Sequence, residues 1–307
     1  MVYDECVAQI ELSWQSKLVL LLVLPIAGAD LVLQAHGWVE FYWPVALWTL
    51  GLSLIFGLVV LKLRAATPEA ALAGAAITAC LLFSTAGITP NDAFPYSPWH
   101  TALSPMLALV ILTVLSTRLG RKRKEYLGTA ERRQGRTTAQ VAANLGVALI
   151  ASTMPMRLWM MDSPWFSRGI TPPPVFAPLL AAMAEAAADT VSSEIGQVLG
   201  GQPRLLTTLR RVEPGTDGGV TLIGTLTGVT AAGIVAAVGA CALGGGVEVF
   251  CISLSGGLFG LFFDSMLGAT LERRGWLNND AVNFLSTASA AAFALGVLAL
   301  MPHPGVR

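Results

Sequence analysis

The sequence predicts an all-α fold of the polytopic membrane class, a bundle of about nine transmembrane helices. Of the 307 residues, 54% are hydrophobic and only 12% are charged, whereas soluble domains are about 25% charged. The mean hydropathy is +0.65. The apolar residues are gathered into runs of roughly 20, which is the length of helix that crosses a bilayer.

Nine segments have the length and apolar character of a membrane span. They are Lys17–Ala35, Pro44–Leu63, Pro68–Gly87, Thr101–Arg118, Ala139–Pro155, Pro174–Glu194, Gly219–Leu243, Val247–Leu271 and Ala281–Met301. The segments at 139–155 and 174–194 are short or rich in Ala.

The distribution of Lys and Arg predicts an orientation with the N-terminus inside and the C-terminus outside. With nine spans in that orientation, 16 of the 19 Lys and Arg residues lie in cytoplasmic segments, as the positive-inside rule requires. An even number of spans would destroy this separation. We therefore expect an integral membrane protein, placed in the cytoplasmic (inner) membrane if the source is bacterial, with its polar site facing the cytoplasm.

The later spans carry polar residues or glycines at helical spacing. The sets are Arg136, Gln140 and Asn144; Glu185 and Asp189; Gly256, Gly260, Asp264 and Gly268; and Asp280, Asn283 and Thr287. Such spacing places each set along one side of its helix. Ionisable groups inside spans are costly and normally face a polar interior with partners. We therefore predict four helices that enclose a polar cavity.

The residue types in these sets favour phosphate chemistry. Carboxylates and amides without His or Cys suit Mg²⁺, and the basic stretch from Ser116 to Gln140 suits phosphate or anionic lipid headgroups. The glycine-rich segment Val212–Thr225 leads into a predicted helix amino end, which favours anions. It contains no P-loop or dinucleotide-binding motif. The residues alone thus predict Mg²⁺-dependent phosphate chemistry on a lipid substrate.

Two long stretches resemble a known family. They are ADTVSSEIGQVLGGQPRLLTTLRRVEPGTDGGVTLIGT at 188–225 and GLFGLFFDSMLGATLERRGWLNNDAVNFLST at 257–287. They are similar to the integral-membrane family that contains eukaryotic transmembrane protein 19 and the plant phytyl-phosphate kinase, also called domain of unknown function 92. The earlier stretches STRLGRKRKE and RTTAQVAANLGVAL also match it. The similarity divides the chain into N-terminal membrane helices at 1–63 and a family-like catalytic domain at 64–303.

The resemblance implies a membrane kinase that phosphorylates an isoprenoid (polyprenyl or phytyl) monophosphate to the diphosphate, with CTP as the favoured nucleoside triphosphate. The Asp-Thr, Gly and Pro-Gly-Thr order is also, more weakly, similar to dolichol kinase and CDP-diacylglycerol synthase, which use CTP and Mg²⁺. The chain departs from these enzymes in having no lysine in the turn after Gln202. Arg204, Arg210 or Arg211 would have to supply that charge.

These considerations assign roles to particular residues. The catalytic carboxylates would be Asp189, Glu194, Asp264 and Asp280, of which Asp189, Glu194 and Asp264 would hold Mg²⁺. The acceptor phosphate would be bound by Arg136, Gln140 and Asn144, with Arg118 and Lys122 at the rim and Asn283 as an orienting group. The nucleotide would be bound by Arg204, Arg210, Gly215, Thr216, Asp217, Gly218 and Gly219.

Two other functions remain open at the level of sequence. A CTP-dependent cytidylyltransferase on a lipid phosphate would use the same nucleotide and metal but attack the α-phosphate. A non-enzymatic lipid-phosphate transporter would need the polar cavity without catalysis. The expected partners are the isoprenoid monophosphate, the nucleotide and the lipid bilayer, with no nucleic acid. A homo-oligomer and a monomer are both compatible with the sequence.

Overall fold

The computed structural model describes residues 13–88, 96–130, 134–163 and 174–301. Within these ranges the chain forms ten α-helices and one short antiparallel β-ribbon. The helices are α1 (Trp14–Lys62), α2 (Pro68–Thr85), α3 (Leu103–Arg118), α4 (Arg121–Leu127), α5 (Thr138–Ser152), α6 (Met154–Asp162), α7 (Ala177–Leu199), α8 (Leu222–Ala242), α9 (Gly246–Leu267) and α10 (Asn279–Leu300), and the strands are β1 (Arg204–Leu205) and β2 (Gly219–Val220).

The predicted all-α membrane class is confirmed. In the described ranges, six helices are long and apolar enough to span a bilayer, and the number rises to eight if each of two bent helix pairs forms one span. The bent pairs are α3 with α4, at 65°, and α5 with α6, at 50°. The count of nine and the orientation stay predictions.

Helix α1 contains a break at Tyr42, whose φ of −158° and ψ of 86° are not helical. Before the break, Gln34 donates a hydrogen bond to Ser84 at the end of α2. After it, Gly57 lies against Ala71 near the start of α2. Both halves of α1 therefore run along α2 in opposite directions, and the chain folds back at Tyr42. Pro44 favours such a break because it lacks the N–H that would continue the helical hydrogen bonds.

One end of the bundle collects the amino ends of four helices, and we call it the polar end. Here the side chains of Thr67, Thr137, Thr221 and Asn278 cap α2, α5, α8 and α10. Each accepts a hydrogen bond from a backbone N–H that has no partner inside its own helix. The helices α3, α7 and α9 begin without a side-chain cap. The polar end is thus where the positive ends of four helix dipoles meet.

Helix α7 forms the centre of the bundle and packs against α3, α5, α8, α9 and α10. Its residues from Ala177 to Ala188 are all buried, and many of them are alanines that let neighbouring helices approach closely. On α9, a Cβ atom at Gly260 would lie 2.5 Å from Cγ of Glu185. The glycine spacing on α9 therefore serves helix packing and leaves room for a buried carboxyl side chain.

Candidate functional site

A pair of aspartates from two helices lies at the centre of the polar end. Asp189 on α7 and Asp264 on α9 approach within hydrogen-bonding reach of each other. One turn before Asp189, Glu185 is only 1% exposed, and Ser286 of α10 lies beside both Glu185 and Asp264. Two helices thus bring together carboxyl groups that are at least 75 residues apart along the chain, and α10 adds the Ser286 hydroxyl beside them.

These aspartates line a polar cavity of about 240 Å³. The continuous segment from Pro214 to Thr221 also lines the cavity. The remaining lining residues are Ser192, Ser193, Gly196, Gln197, Pro203, Leu261, Ser265, Glu272 and Asn279. The cavity therefore lies between a pair of carboxyl groups and a glycine-rich loop. All five predicted loop residues, Gly215, Thr216, Asp217, Gly218 and Gly219, line it.

The glycine-rich loop is held against the end of α9 by close backbone contact. Gly218 has a φ of +70°, and a Cβ atom there would lie 2.1 Å from the backbone N of Ala269. Pairing of Leu205 with Gly219 anchors the end of the loop in the β-ribbon. Only a residue without a side chain fits this backbone conformation and this distance. Burial raises the pKa of the Asp217 carboxyl in this loop, an effect that Arg273 partly opposes.

Several buried oxygen atoms at the site lack a hydrogen-bond partner in the described structure, among them Oδ1 of Asp264, Oε1 of Glu185 and Oε1 of Gln197. Buried polar atoms are normally paired, and an unpaired one calls for an ion or water. Oxygen donors are the ligands that Mg²⁺ prefers, and in phosphate-transfer sites it uses one or two carboxylates together with substrate phosphates. The pair Asp189 and Asp264 fits that pattern.

The structure does not assemble the predicted set of three metal-binding carboxylates. Glu194 is buried and forms an ion pair with Lys124, whose Nζ also donates to the backbone oxygens of Ser116 at 2.8 Å and Thr117 at 3.1 Å. No group of three or more His, Cys, Asp or Glu side chains is arranged to hold a metal in the described ranges. Glu194 therefore binds the end of α3 and α4 to α7, which a sequence pattern on α7 alone does not reveal.

Arg136, predicted to bind the acceptor phosphate, lies next to Asp189. Its guanidinium donates to Oγ1 of Thr190 at 3.0 Å and is an electrostatic neighbour of Asp189. Its backbone N–H donates to Ala65 and its carbonyl accepts from Thr67, both at 3.0 Å. These two bonds tie the start of α5 to the start of α2 and thereby hold Arg136 in place.

The other predicted acceptor-binding residues are distributed differently. Gln140 completes a capping box with Thr137, and Asn144 donates to the carbonyl of Gln140 at 2.8 Å. Arg118, Arg136 and Asn144 line a second, larger cleft beside the polar cavity. Lys122 is exposed. The lysine that reaches a buried carboxylate is Lys124, which pairs with Glu194.

Four further predicted residues do not line the polar cavity. Asp280 accepts a hydrogen bond of 2.6 Å from the Ser16 hydroxyl and so joins α10 to α1. Arg204 and Arg210 are exposed, and Arg204 donates to the carbonyl of Leu209 at 3.1 Å. Asn283 is absent from the lining, while Asn279 at the start of the same helix is part of it.

Sequence reasoning missed Glu272, Ser286 and Gln197, and it placed Lys124 among the possible phosphate contacts of the basic stretch, not in a buried ion pair. Glu272 lies four residues beyond Gly268, so extending the Gly256–Gly268 series by one step would have found it. For Ser286 and Lys124 the local pattern contains no comparable signal, because their importance comes from residues on other helices.

The known proteins that the chain resembles are integral membrane proteins, in agreement with its apolar helices. The profile of the integral membrane protein family DUF92 matches residues 51–291. An uncharacterized membrane protein of Methanocaldococcus jannaschii (MJ0933) is 42% identical over 35% of the chain and 45% of its own length. An uncharacterized membrane protein of Synechocystis (sll0875) is 31% identical over 73% of the chain and 90% of its own length.

The chloroplastic protein VTE6 of Arabidopsis thaliana is 28% identical over 61% of the chain and 56% of its own length. No solved structure matches the chain significantly. The family profile covers well over half of the chain, and the family predicted from the sequence is thereby confirmed. The chain belongs to the DUF92 family of integral membrane proteins.

Proposed function

We propose that the protein is a membrane kinase that transfers the γ-phosphoryl group of a nucleoside triphosphate, with CTP favoured, to an isoprenoid monophosphate. The observation that supports this most directly is the polar cavity, in which Asp189 and Asp264 face the Gly215–Gly219 loop. The family resemblance to the plant phytyl-phosphate kinase supports the choice of acceptor. The 28% identity to VTE6 supports the same class of acceptor, an isoprenoid phosphate, without specifying its chain.

The nucleotide phosphates are assigned to the glycine-rich loop. Its backbone can approach a ligand closely because Gly215 and Gly218 have positive φ angles and no side chains. The loop leads into the amino end of α8 at Thr221, and helix amino ends favour phosphate. Thr221 itself caps that helix and lines the cavity.

The acceptor phosphate is assigned to Arg136, which lies between Asp189 and the neighbouring cleft. One acceptor oxygen would form the new bond to the γ-phosphorus, while the bond from that phosphorus to the β–γ bridging oxygen breaks and its electron pair leaves with the nucleoside diphosphate. A phosphate monoester is already a nucleophile, so the transfer needs positioning and charge neutralisation and no strong base.

A bound Mg²⁺ would be held by Asp189 and Asp264 and would neutralise charge on the transferred phosphoryl group. The protein's own contribution is to hold both carboxyl groups beside the cavity, with Ser286 within hydrogen-bonding reach of Asp264. Arg136 orients the acceptor and offsets the negative charge of Asp189.

The test uses the purified full-length protein with Mg²⁺, phytyl monophosphate and CTP labelled at either the α- or the γ-phosphate. The kinase predicts that the label reaches the lipid from γ-labelled CTP only. Label from α-labelled CTP would identify a cytidylyltransferase instead. Movement of phytyl monophosphate between leaflets without turnover of CTP or ATP would identify a transporter and refute the kinase.

The variant Asp264→Asn tests the site within this assay. We expect at least about a 100-fold loss of kcat, because a preorganised charge at the reacting phosphate is removed. The matched control is Glu248→Gln, since Glu248 is an exposed acid in the first turn of the same helix. Wild-type turnover by Asp264→Asn would remove Asp264 from catalysis.

A further inference from the structure

A cleft of about 510 Å³ opens beside the polar cavity, between α1, α2, α3 and α5. This volume lies in the range of about 300–1,000 Å³ that is usual for small-molecule sites. The second half of α1 packs on α2, and α3 packs on α7, so the space between α1 and α3 is left open. The catalytic scheme above uses only Arg136 of its lining and gives no role to the rest of the cavity.

The walls of the cleft are apolar along most of their length. They include Phe56 and Val60 of α1, Val110 and Val114 of α3, and Leu145 of α5. Alanines and a glycine at the start of α2 widen it, namely Ala70, Ala71 and Gly74. Such a lining suits a hydrocarbon chain, because burying a chain there removes apolar surface from water.

Arginines line the polar part of the same cleft. Arg64, Arg118 and Arg136 all contribute to it. Arg121 and Glu125 line it too and are paired with each other at 3.1 Å. Arg118 donates to the carbonyl of Leu63 at 2.7 Å, which draws the ends of α1 and α3 together. Arg64 has a φ of +54°, a conformation that is unusual for a residue with a side chain and marks a locally strained turn.

Backbone contacts hold the segments that carry Arg64 and Arg136 together. Ala66 pairs with Arg136 in an isolated β-bridge. A Cβ atom at Gly135, whose φ is +82°, would lie 2.4 Å from the backbone of Ala65. The Arg64 turn and the Arg136 segment are therefore locked together. Guanidinium groups are well matched to phosphate oxygens.

We propose that this cleft binds a lipid monophosphate, with its hydrocarbon chain along the apolar walls and its phosphate at Arg64, Arg118 and Arg136. The Arg136 guanidinium bonds Thr190 next to Asp189, so a phosphate held there would lie at the edge of the polar cavity. The identification of this ligand as the phosphoryl acceptor rests on the proposed function. The binding of an alkyl phosphate in the cleft does not.

The direct test measures equilibrium binding of radiolabelled phytyl monophosphate to the full-length protein in nanodiscs without nucleotide. Val110→Trp places a large ring in the cleft and should weaken binding by at least about tenfold. The matched control is Ile111→Trp, because Ile111 is the next residue on α3, is 55% exposed and does not line the cleft. The control should bind within about twofold of wild type.

A second variant tests the arginines proposed to bind the phosphate and leaves the apolar core unchanged. Arg64 is exposed, so Arg64→Gln should leave the bundle intact. We expect about a tenfold loss of affinity for phytyl monophosphate, since a charge-assisted hydrogen bond is removed. Competition by phytol, which lacks the phosphate, should be unchanged by this variant and weakened by Val110→Trp. Equal effects of Arg64→Gln on both ligands would overturn the assignment of the phosphate.

Three arms separate the sources of the bound phosphate. Phytyl monophosphate should displace a long-chain phosphatidic acid from the cleft, whereas inorganic phosphate at equal concentration should not. If phosphatidic acid binds and phytyl monophosphate cannot displace it, the assignment of the cleft to the isoprenoid acceptor is overturned. If neither lipid binds, the proposal itself is overturned. Binding that depends on Val110 and Arg64 without any phosphoryl transfer would refute the kinase but support the cleft. Phosphoryl transfer with an unchanged KM for phytyl monophosphate in Val110→Trp and Arg64→Gln would support the kinase but refute the cleft as its acceptor site.

Discussion

At the scale of single residues, the buried charges of the polar end have different roles although the sequence presents them alike. Asp264 keeps an unpaired buried oxygen beside the cavity, whereas Glu194 is neutralised by Lys124. Both are carboxylates on the polar parts of predicted spans. An unpaired buried acceptor is costly unless a ligand satisfies it, so Asp264 is a residue suited to binding and Glu194 is one suited to structure.

The ion pair can be tested through stability. Lys124→Met should lower the free energy of unfolding by about 3–5 kcal/mol, because Glu194 would remain buried without its partner. The double variant Lys124→Met/Glu194→Gln should recover most of that loss. Lys122→Met, at an exposed position two residues away, should change stability by less than about 0.5 kcal/mol. Unfolding in detergent measures all three, and a double variant no more stable than the single one would contradict the structural role.

At the scale of elements, the loop between α7 and α8 owes its position to contact with α9. Gly218 touches the turn that follows α9, from Gly268 to Glu272. That turn is a π-helical stretch, a feature that often occurs at functional sites. The sequence marked the loop by its glycines but did not show which helix it would lie against.

Two glycines of this loop provide a matched comparison. Gly201 and Gly218 have φ angles of +71° and +70°, but a Cβ atom at Gly201 would meet nothing within 4 Å. Gly201→Ala should cost only the backbone strain, about 1–2 kcal/mol. Gly218→Ala should in addition displace the loop from Ala269, so hydrogen exchange of residues 213–221 should accelerate by at least about tenfold, equivalent to about 1.4 kcal/mol. Equal exchange in the two variants would show that the close contact does not position the loop.

At the scale of the whole molecule, the bundle concentrates its chemistry at one end. The capped starts of α2, α5, α8 and α10 lie there, together with both cavities and the ion pair. At the other end, α8 and α9 are joined by a short turn around Gly244. The positive-inside rule predicts that the polar end faces the cytoplasm.

Cysteine labelling tests this orientation. In a variant without Cys6, Cys80, Cys241 and Cys251, single cysteines replace Arg211 in the loop at the polar end or Val247 at the start of α9, both of which are exposed. A membrane-impermeant maleimide should label Val247→Cys in intact cells and Arg211→Cys only in inside-out vesicles, because charged reagents do not cross the bilayer. The opposite pattern would invert the topology, and labelling of both from one side would contradict the arrangement of α8 and α9.

The sequence by itself determined the membrane class, the course of most helices, the family and the loop that lines the polar cavity. The predicted spans at 68–87, 101–118 and 281–301 agree with α2, α3 and α10 to within two residues at each end. Hydrophobic runs, helix caps and glycine turns are local properties, and they can be found without knowing what each helix touches.

The tertiary structure alone decided which charges meet. Three features join segments that are distant in sequence. They are the contact of Asp189 with Asp264, the pairing of Lys124 with Glu194 and the position of Arg136 between Asp189 and the larger cleft. The physical reason is that helical periodicity specifies the face on which a side chain lies but not the neighbour that this face will meet. Which carboxyl group is neutralised and which is left for a ligand follows from that neighbour.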